Sequence, residues 1–244
     1  GHLAAYDREP REWSAEDGET VGTLARVISV ELERLRHEDE LKDFVDVASH
    51  EMRHPITVIK GYVTSLGEHW KELGDEERAE LMQAVDRGVD RLTRLVSELL
   101  DISRIERGRF TIRKRPTDVR AVVEEAVQEM RRRGFDNPFE LRLPTEETVL
   151  EADTDRLLEV LLILLENAVS FSPPRSKVEI EAGKEGTAFL LSVRDRGAGI
   201  PEGEREKVFR RFYQVEDALH HSAPGMGMGL YIAREIVERH GGRI

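Results

Sequence analysis

The sequence predicts a multidomain chain in which a long antiparallel helical hairpin, paired into a dimeric four-helix bundle, precedes an α/β sandwich domain. Two observations predict this fold class. Apolar residues recur in steps of three or four over long stretches on either side of residues 70–74, which indicates two amphipathic helices. After Gly108, short strand-like runs alternate with helical segments, which is typical of a separate α/β domain.

The first helix is predicted to begin at Glu19 and to end near Trp70–Gly74, where turn residues collect. Its apolar face runs from Leu24 to Leu66. Pro55 lies inside this helix and should bend it, because proline removes one backbone donor and its ring crowds the preceding turn.

The second helix is predicted to begin near Asp75, where acidic residues fill the first turn and suit the helix dipole. Its apolar positions follow a seven-residue repeat, the signature of a coiled-coil seam, on two tracks: Leu81, Gly88, Leu95 and Ile102, and Val85, Leu92 and Leu99. A single hairpin cannot bury both faces of such a seam. Two copies would pair into a four-helix bundle, so we expect a homodimer.

The α/β domain is predicted from alternating strand and helix patterns. The predicted strands are Phe110–Ile112, Glu140–Leu143, Val178–Glu181 and Ala188–Val193. The predicted helices are Asp118–Arg133, Asp153–Ser170 and Met228–His240.

Composition narrows the classes of protein further. The 244 residues carry a net charge of −12, which argues against nucleic acid as a main partner because phosphate binding needs a basic face. The sequence has no cysteine, which excludes disulfides, thiolate zinc sites and cysteine nucleophiles. Its longest apolar run, Val160–Leu165, is far shorter than the roughly 20 residues that span a bilayer. We therefore expect a soluble chain without a membrane segment, and its start without Met indicates a fragment.

The segment Ser49–Pro55, with the sequence SHEMRHP, allows three interpretations of His50. The simplest is a surface histidine on an amphipathic helix. The second is the zinc-peptidase pattern H-E-x-x-H, with Glu51 as general base, but no third ligand motif follows and Pro55 disturbs the helix. The third is a nucleophile, since a neutral imidazole can attack phosphorus while the adjacent Glu51 carboxylate orients it and accepts its proton. The third interpretation requires an ATP site elsewhere in the chain.

Three segments of the α/β domain together predict such a site. Asp195–Ile200, with the sequence DRGAGI, follows an apolar strand, although alone it could be an ordinary turn. Gly225–Leu230 opens a helix, where glycines let backbone N–H groups approach phosphates, although alone it could be a flexible loop. It is neither a Walker A motif nor a protein-kinase glycine loop. Asn167 lies in the apolar segment Leu161–Ala168 and needs a partner, which Mg²⁺ with ATP phosphates would supply.

Taken in order, these segments resemble the sensor histidine kinases of two-component systems. The order is an acceptor-histidine hairpin, an asparagine helix, D-x-G-x-G, a phenylalanine segment at Val208–Tyr213 and G-x-G-x-G. The resemblance covers residues 37–244. It implies a Bergerat-type ATP-binding fold, like that of gyrase and Hsp90 ATPases, and a cytoplasmic location for this part of the chain.

The resemblance also implies roles for individual residues. His50 is the expected phospho-acceptor and Glu51 its acid/base partner. Asn167 would hold Mg²⁺ to the phosphates, and Asp195 would accept a hydrogen bond from the adenine amino group. The glycines have two implied roles: close passage of the chain past the base (Gly197, Gly199) and the hinge of a lid over the phosphates formed by Tyr213–Pro224 (Gly225, Gly227, Gly229).

The N-terminus is similar to the last strand and closing helix of a GAF sensor domain, although a plain dimerising coiled coil would explain it as well. The expected domains are therefore the end of a GAF-like domain at 1–22, a signalling coiled-coil helix at 23–40, the phosphotransfer hairpin at 41–110 and the ATP-binding domain at 111–244. The family usually continues past Ile244 with about two more strands, roughly a hairpin in length, so the last domain is expected to be incomplete.

Three positions depart from the family pattern. His54 replaces a usual Thr or Asn tied to dephosphorylation of the partner regulator, which puts phosphatase activity in doubt. Ile163 stands where Asn is usual, and Ser170 stands where a basic residue often reaches the phosphates. Both changes could weaken nucleotide binding or transfer.

The expected function is Mg-ATP-dependent autophosphorylation of His50, followed by transfer to an aspartate in the receiver domain of a response regulator. Ile163 and Ser170 leave open a degenerate kinase that acts as a nucleotide-binding dimeric scaffold. A Bergerat-type ATPase of the chaperone or topoisomerase kind and an HExxH zinc peptidase remain as further alternatives.

Overall fold

A computed structural model of the chain describes residues 14–144, 148–186, 188–215 and 226–244. The predicted strand at Leu3–Tyr6 and most of the expected GAF-like segment lie outside these residues. The chain divides into two compact units, Gly1–His50 and Glu51–Ile244, and each unit is described by itself. The predicted domain boundaries stay predictions.

The first unit contains the beginning of the first helix, α1 (Ala15–His69). This helix starts four residues before the predicted Glu19, because Ser14 and Asp17 form a reciprocal cap. The Asp17 N–H donates to Ser14 Oγ over 3.1 Å, and the Ser14 N–H donates to Asp17 Oδ2 over 2.9 Å. Several large apolar side chains of this unit are exposed: Leu24, Val27, Ile28, Val30 and Val45.

The second unit begins with the rest of α1, which continues through Pro55, and with α2 (Asp75–Glu106), which begins at the predicted residue. Arg78 closes the connection between the helices. Its guanidinium donates to the Trp70 carbonyl over 2.6 Å and lies 4.8 Å from the centre of the Trp70 ring. The Gly74 N–H donates to the Glu77 carboxylate over 2.8 Å, which satisfies a donor at the start of α2.

The two helices of the hairpin come close together at Gly88. A Cβ atom built there would lie 2.7 Å from Cγ1 of Ile59, so no side chain fits at this heptad position without movement. The seam prediction is confirmed at Leu95 and Ile102, which are buried.

The α/β part confirms the predicted layered architecture with two small sheets. The strand β1 (Arg115–Asp118) pairs antiparallel with β3 (Val149–Ala152). The strand β2 (Phe139–Arg142) pairs parallel with β4 (Val178–Glu185), which pairs antiparallel with β5 (Ala188–Arg194). The helices are α3 (Val119–Arg132), α4 (Thr154–Ser170) and α5 (Gly229–His240).

The core lies where α3 and α4 pack on β4. Its fully enclosed members are aliphatic or small, and they are Val122, Val123, Ala126, Met130, Leu161, Leu165, Val178 and Ile180. This packing buries the apolar side of α4 and leaves its opposite side to carry polar residues.

The prediction of a strand at Phe110–Ile112 was wrong, and β3 was not predicted. Phe110 is buried because two guanidinium groups stack on its ring, Arg156 at 4.5 Å and Arg239 at 5.2 Å. The strand β1 begins five residues after Phe110, in the polar sequence RPTD. This sequence lacks the alternation of apolar residues that predicts a strand.

Candidate functional site

Asn167 lies near the end of α4, on the half-buried side of the helix. Asp153 begins this helix: its carboxylate accepts hydrogen bonds from the Arg113 and Arg156 N–H groups over 2.8 and 3.3 Å. The adjacent Glu166 pairs with Arg133. Among the described residues, no hydrogen bond engages the Asn167 side-chain amide, so this amide is available to a ligand.

The D-x-G turn packs against the end of the helix that carries Asn167. The Gly197 N–H donates to Asp195 Oδ1 over 2.7 Å, and the Arg196 N–H donates to Ser172 Oγ over 3.1 Å. A Cβ atom on Gly197 would lie 2.6 Å from the carbonyl oxygen of Phe171, the residue after α4. Only glycine allows this approach, and it brings Asp195, which is exposed, to the same end of α4 as Asn167.

Gly227 and Gly229 bring the glycine-rich segment onto the phenylalanine segment and α4. Gly227 has a φ of +67°, and a Cβ atom there would lie 2.8 Å from the carbonyl oxygen of Tyr213. A Cβ atom on Gly229, the first residue of α5, would lie 3.1 Å from Ile163 Cγ2, one turn before Asn167. Gly225 and most of the predicted lid, Tyr213–Pro224, lie outside the described residues.

The structure therefore brings Gly197 and Gly229 against α4, the helix of Asn167, with Asp195 bonded to Gly197. Gly227 packs on the phenylalanine segment. Gly199 follows the D-x-G turn with a φ of +76°. Ile163 presents a branched aliphatic side chain to Gly229, so this position adds packing and no polar ligand.

His50 and Glu51 lie on α1, far along the chain from this cluster. His50 is the last residue of the first unit and is exposed. Glu51 begins the second unit, and its carboxylate pairs with Arg91 of α2 over 3.2 Å. Sequence reasoning did not find Arg91, because a heptad pattern shows which residues face the partner helix and not which of them meet.

Glu98 on α2 lies within electrostatic range of Glu51 and of two glutamates on α4. Burial first, and then the charges of Glu166, Glu159 and Glu51, raise the pKa of Glu98 on α2 from 4.5 to about 7, while Arg94 acts in the opposite direction. The carboxyl group of Glu98 is therefore partly protonated near neutral pH. Acidic groups of the hairpin and of α4, the helix that carries Asn167, thus lie within electrostatic range of one another.

The end of the hairpin is joined to α4 and to the phenylalanine segment by ion pairs that the sequence did not reveal. Arg156 pairs with Asp101, and Arg211 of the phenylalanine segment pairs with Glu106. A cavity of about 450 Å³ lies at this joint, lined among others by Arg104, Phe110 and Arg156. Local sequence periodicity carries no signal for these pairs, because their partners lie on separate elements.

Two features of the described residues bear on the alternatives. No group of three or more His, Cys, Asp or Glu side chains in that part of the chain could hold a metal ion, so His50 and His54 gain no third zinc ligand there. None of the helices found in that part is both long enough and apolar enough to cross a membrane.

Two family models match the chain. Residues 40–108, which include His50 and Glu51, match the His Kinase A (phospho-acceptor) domain. Residues 152–244, which include Asn167, Asp195 and the glycine-rich segment, match the Histidine kinase-, DNA gyrase B-, and HSP90-like ATPase family.

Named relatives agree with these two matches. The circadian input-output histidine kinase CikA of Synechococcus elongatus is 32% identical over 83% of this chain and 27% of its own length. The sensor protein kinase WalK of Staphylococcus haemolyticus is 30% identical over 94% of this chain and 38% of its own length. This chain thus spans well under half of either relative.

A solved structure also matches. The histidine kinase ThkA, in complex with the response regulator protein TrrA, superimposes with a TM-score of 0.55 and 25% identity. The match covers 88% of this chain and 60% of that chain.

Proposed function

Because this chain belongs to the sensor histidine kinases, we propose that it transfers the γ-phosphoryl group of ATP to its own His50 and then to an aspartate of a response regulator. The observation that carries the proposal is the convergence on α4. The D-x-G turn packs on Phe171 and the start of α5 packs on Ile163, on either side of Asn167 along the helix.

The proposed nucleotide site uses the residues of this cluster. The Asp195 carboxylate would accept a hydrogen bond from the adenine amino group, and its bond to the Gly197 N–H fixes the turn that presents it. Gly197 and Gly199 would let the chain pass close to the base. The N-terminus of α5, entered through Gly225, Gly227 and Gly229, would face the phosphates, since N–H groups and the helix dipole favour negative charge there.

Mg²⁺ is implied by the family, and the donor chemistry of the cluster fits it. Asn167 offers a hard amide oxygen that no described residue occupies, and Mg²⁺ usually takes few protein ligands and completes its shell with phosphates and water. Asn167 would hold the ion, which supplies charge neutralisation when it is bound. Ile163 and Ser170 add no charged ligand on the same helix.

In the proposed transfer, a ring nitrogen of His50 attacks the γ-phosphorus. The P–N bond forms as the bond to the β,γ-bridging oxygen breaks, ADP leaves, and Glu51 accepts the imidazole proton. A carboxylate of the regulator then attacks the phosphohistidine, so that a P–O bond replaces the P–N bond. The ThkA complex with the response regulator TrrA supports a receiver domain as the partner.

A homodimer is part of the proposal. Within the second unit, exposed apolar side chains repeat at seven-residue intervals on both helices of the hairpin: Ile56 and Val63, and Met82, Val89 and Val96. Each is more than 40% exposed. A second hairpin would cover this stripe, as expected for a four-helix bundle.

The test is incubation of the chain with Mg-ATP labelled on the γ-phosphate, beside His50→Gln. Acid-labile, base-stable label that is lost in His50→Gln is the expected result, and transfer to a receiver domain should then discharge it. Tight ATP binding without any label would contradict the kinase and favour the nucleotide-binding scaffold that Ile163 suggests. Steady ATP hydrolysis that survives His50→Gln would favour an ATPase.

A further inference from the structure

The contact between Glu51 and the second helix of the hairpin is not part of the phosphoryl transfer proposed above. Glu51 Oε2 accepts a hydrogen bond from Nη2 of Arg91 over 3.2 Å. Both side chains are mostly enclosed, with 19% of Glu51 and 25% of Arg91 exposed. Such a pair restrains a carboxylate more than a surface pair does, because less water competes for either partner.

The backbone around this pair is held in place. Gly88 lies one turn before Arg91 on α2, and a Cβ atom on it would lie 2.7 Å from Ile59 Cγ1 and 3.9 Å from the Pro55 carbonyl oxygen. The two helices therefore approach closely one to two turns from Glu51. Because Arg91 lies next to this close contact between the helices, its guanidinium has a defined position beside Glu51.

Glu51 has an acidic neighbour, Glu98, on α2. Burial raises the pKa of Glu98, and Glu51 is one of three carboxylates, with Glu166 and Glu159, whose charges raise it further. Glu51 therefore lies within electrostatic range of Glu98. Arg91 supplies a positive charge and a directed N–H donor on the opposite side of the hairpin.

We propose that Arg91 is a positioning residue, which holds the Glu51 carboxylate in the orientation needed to accept the proton of the neighbouring His50. This inference rests on the proposed role of Glu51. A glutamate has three rotatable side-chain torsions, and fixing one carboxylate oxygen by an ion pair selects among its orientations before ATP arrives. In this role Arg91 would act only through Glu51 and would not itself contact ATP or the reacting atoms.

The experiment compares Arg91→Gln and Arg91→Lys with Arg87→Gln, a matched control one turn earlier on an exposed position of α2. Initial rates of His50 labelling are measured against ATP concentration in the full chain. We expect Arg91→Gln to lower kcat about tenfold with KM for ATP unchanged, since general-base catalysis contributes on the order of 100-fold or more. Arg91→Lys keeps the charge and should recover most of the rate, and Arg87→Gln should match the parent.

Folding is monitored for every variant by circular dichroism and sedimentation, so that loss of the hairpin is seen directly. A folded Arg91→Gln variant with the parental kcat would overturn the inference and leave the kinase proposal intact. A folded Arg91→Lys variant as slow as Arg91→Gln would also overturn it, because the charge would then not be what matters. A parent chain that never labels His50 would end the proposed function and this inference together.

Discussion

The Arg156 guanidinium on α4 donates two hydrogen bonds, of 2.6 and 3.0 Å, to the Asp101 carboxylate on α2. Only 5% of Asp101 is exposed. The same guanidinium bonds to Glu159 over 2.7 Å and stacks on Phe110. The pair therefore joins the hairpin to the helix that carries Asn167. A charge pair with this geometry and burial is costly to break, because the remaining partner stays buried.

Asp101→Asn should lower the free energy of unfolding by about 3 kcal/mol, since it leaves the Arg156 charge without its main partner. The matched control is Asp75→Asn at the start of α2, where the carboxylate that pairs with Arg78 is 98% exposed. That change should cost less than about 0.5 kcal/mol. Denaturant unfolding at one fixed protein concentration measures both, and equal losses for the two variants would contradict the prediction.

Gly197→Ala should weaken ATP binding about tenfold, because a new methyl group costs roughly 1–3 kcal/mol when it must displace packed neighbours. Its Cβ would lie 2.6 Å from the backbone oxygen of Phe171, which cannot move without disturbing the end of α4. Titration calorimetry with a non-hydrolysable ATP analogue gives the affinity. Gly203→Ala is the control, since nothing lies within 4 Å of its Cβ position, and the prediction fails if both variants bind alike.

Asp195→Ala should abolish the preference for ATP over GTP and lower the affinity for ATP. The carboxylate is proposed to accept a hydrogen bond from the amino group at C6 of adenine, where guanine has a carbonyl oxygen. Loss of this bond should cost about 1–3 kcal/mol. The loss of its bond to the Gly197 N–H should add to the effect. Competition between the two nucleotides for a fluorescent analogue measures the preference. Unchanged selectivity in a folded variant would rule out adenine recognition by Asp195.

Glu98→Gln should change how stability depends on pH. The pKa of Glu98 in the folded chain is about 7, raised from 4.5 first by burial and then by Glu166, so the folded chain binds more protons than the unfolded chain between these pH values. The free energy of unfolding contributed by this group therefore falls as pH rises through that window, and the loss is complete above pH 7.

At pH 8, Glu98→Gln should accordingly be more stable than the parent by about 3 kcal/mol, while the two should agree near pH 4.5. Urea unfolding at both pH values gives the difference. Glu80→Gln, an exposed position on the same helix, should show no such pH-dependent gain. A gain for Glu98→Gln that is the same at both pH values would contradict the assignment.

The hairpin could be predicted from the sequence because its signals are local. Acidic residues mark the start of α2 at Asp75, and the heptad positions Leu95 and Ile102 are buried as predicted. The start of α1 was placed four residues late because the cap between Ser14 and Asp17 was overlooked. The strand β1 was misplaced because buried Phe110 interacts with arginines and not with a sheet.

The candidate site could be predicted only in part. The motifs around Asn167, Asp195 and Gly227 predicted which residues belong to the site. Their arrangement depends on contacts with Phe171 and Ile163, which the spacing of residues in the sequence does not predict. Arg91 and Arg156 were missed for the same reason. Each meets a carboxylate on another helix, and one sequence does not reveal which arginine of many does so.

The parallel pairing of β2 with β4 has a consequence for the order of folding. Phe139 pairs with Val178, so this pair closes a loop that contains β3 and α4. The hairpin needs only the short connection at residues 70–74, and helices of this kind form on the order of a microsecond. Contacts between distant parts of a chain slow folding. During refolding, far-ultraviolet helical signal should therefore recover well before the chain regains the ability to bind ATP.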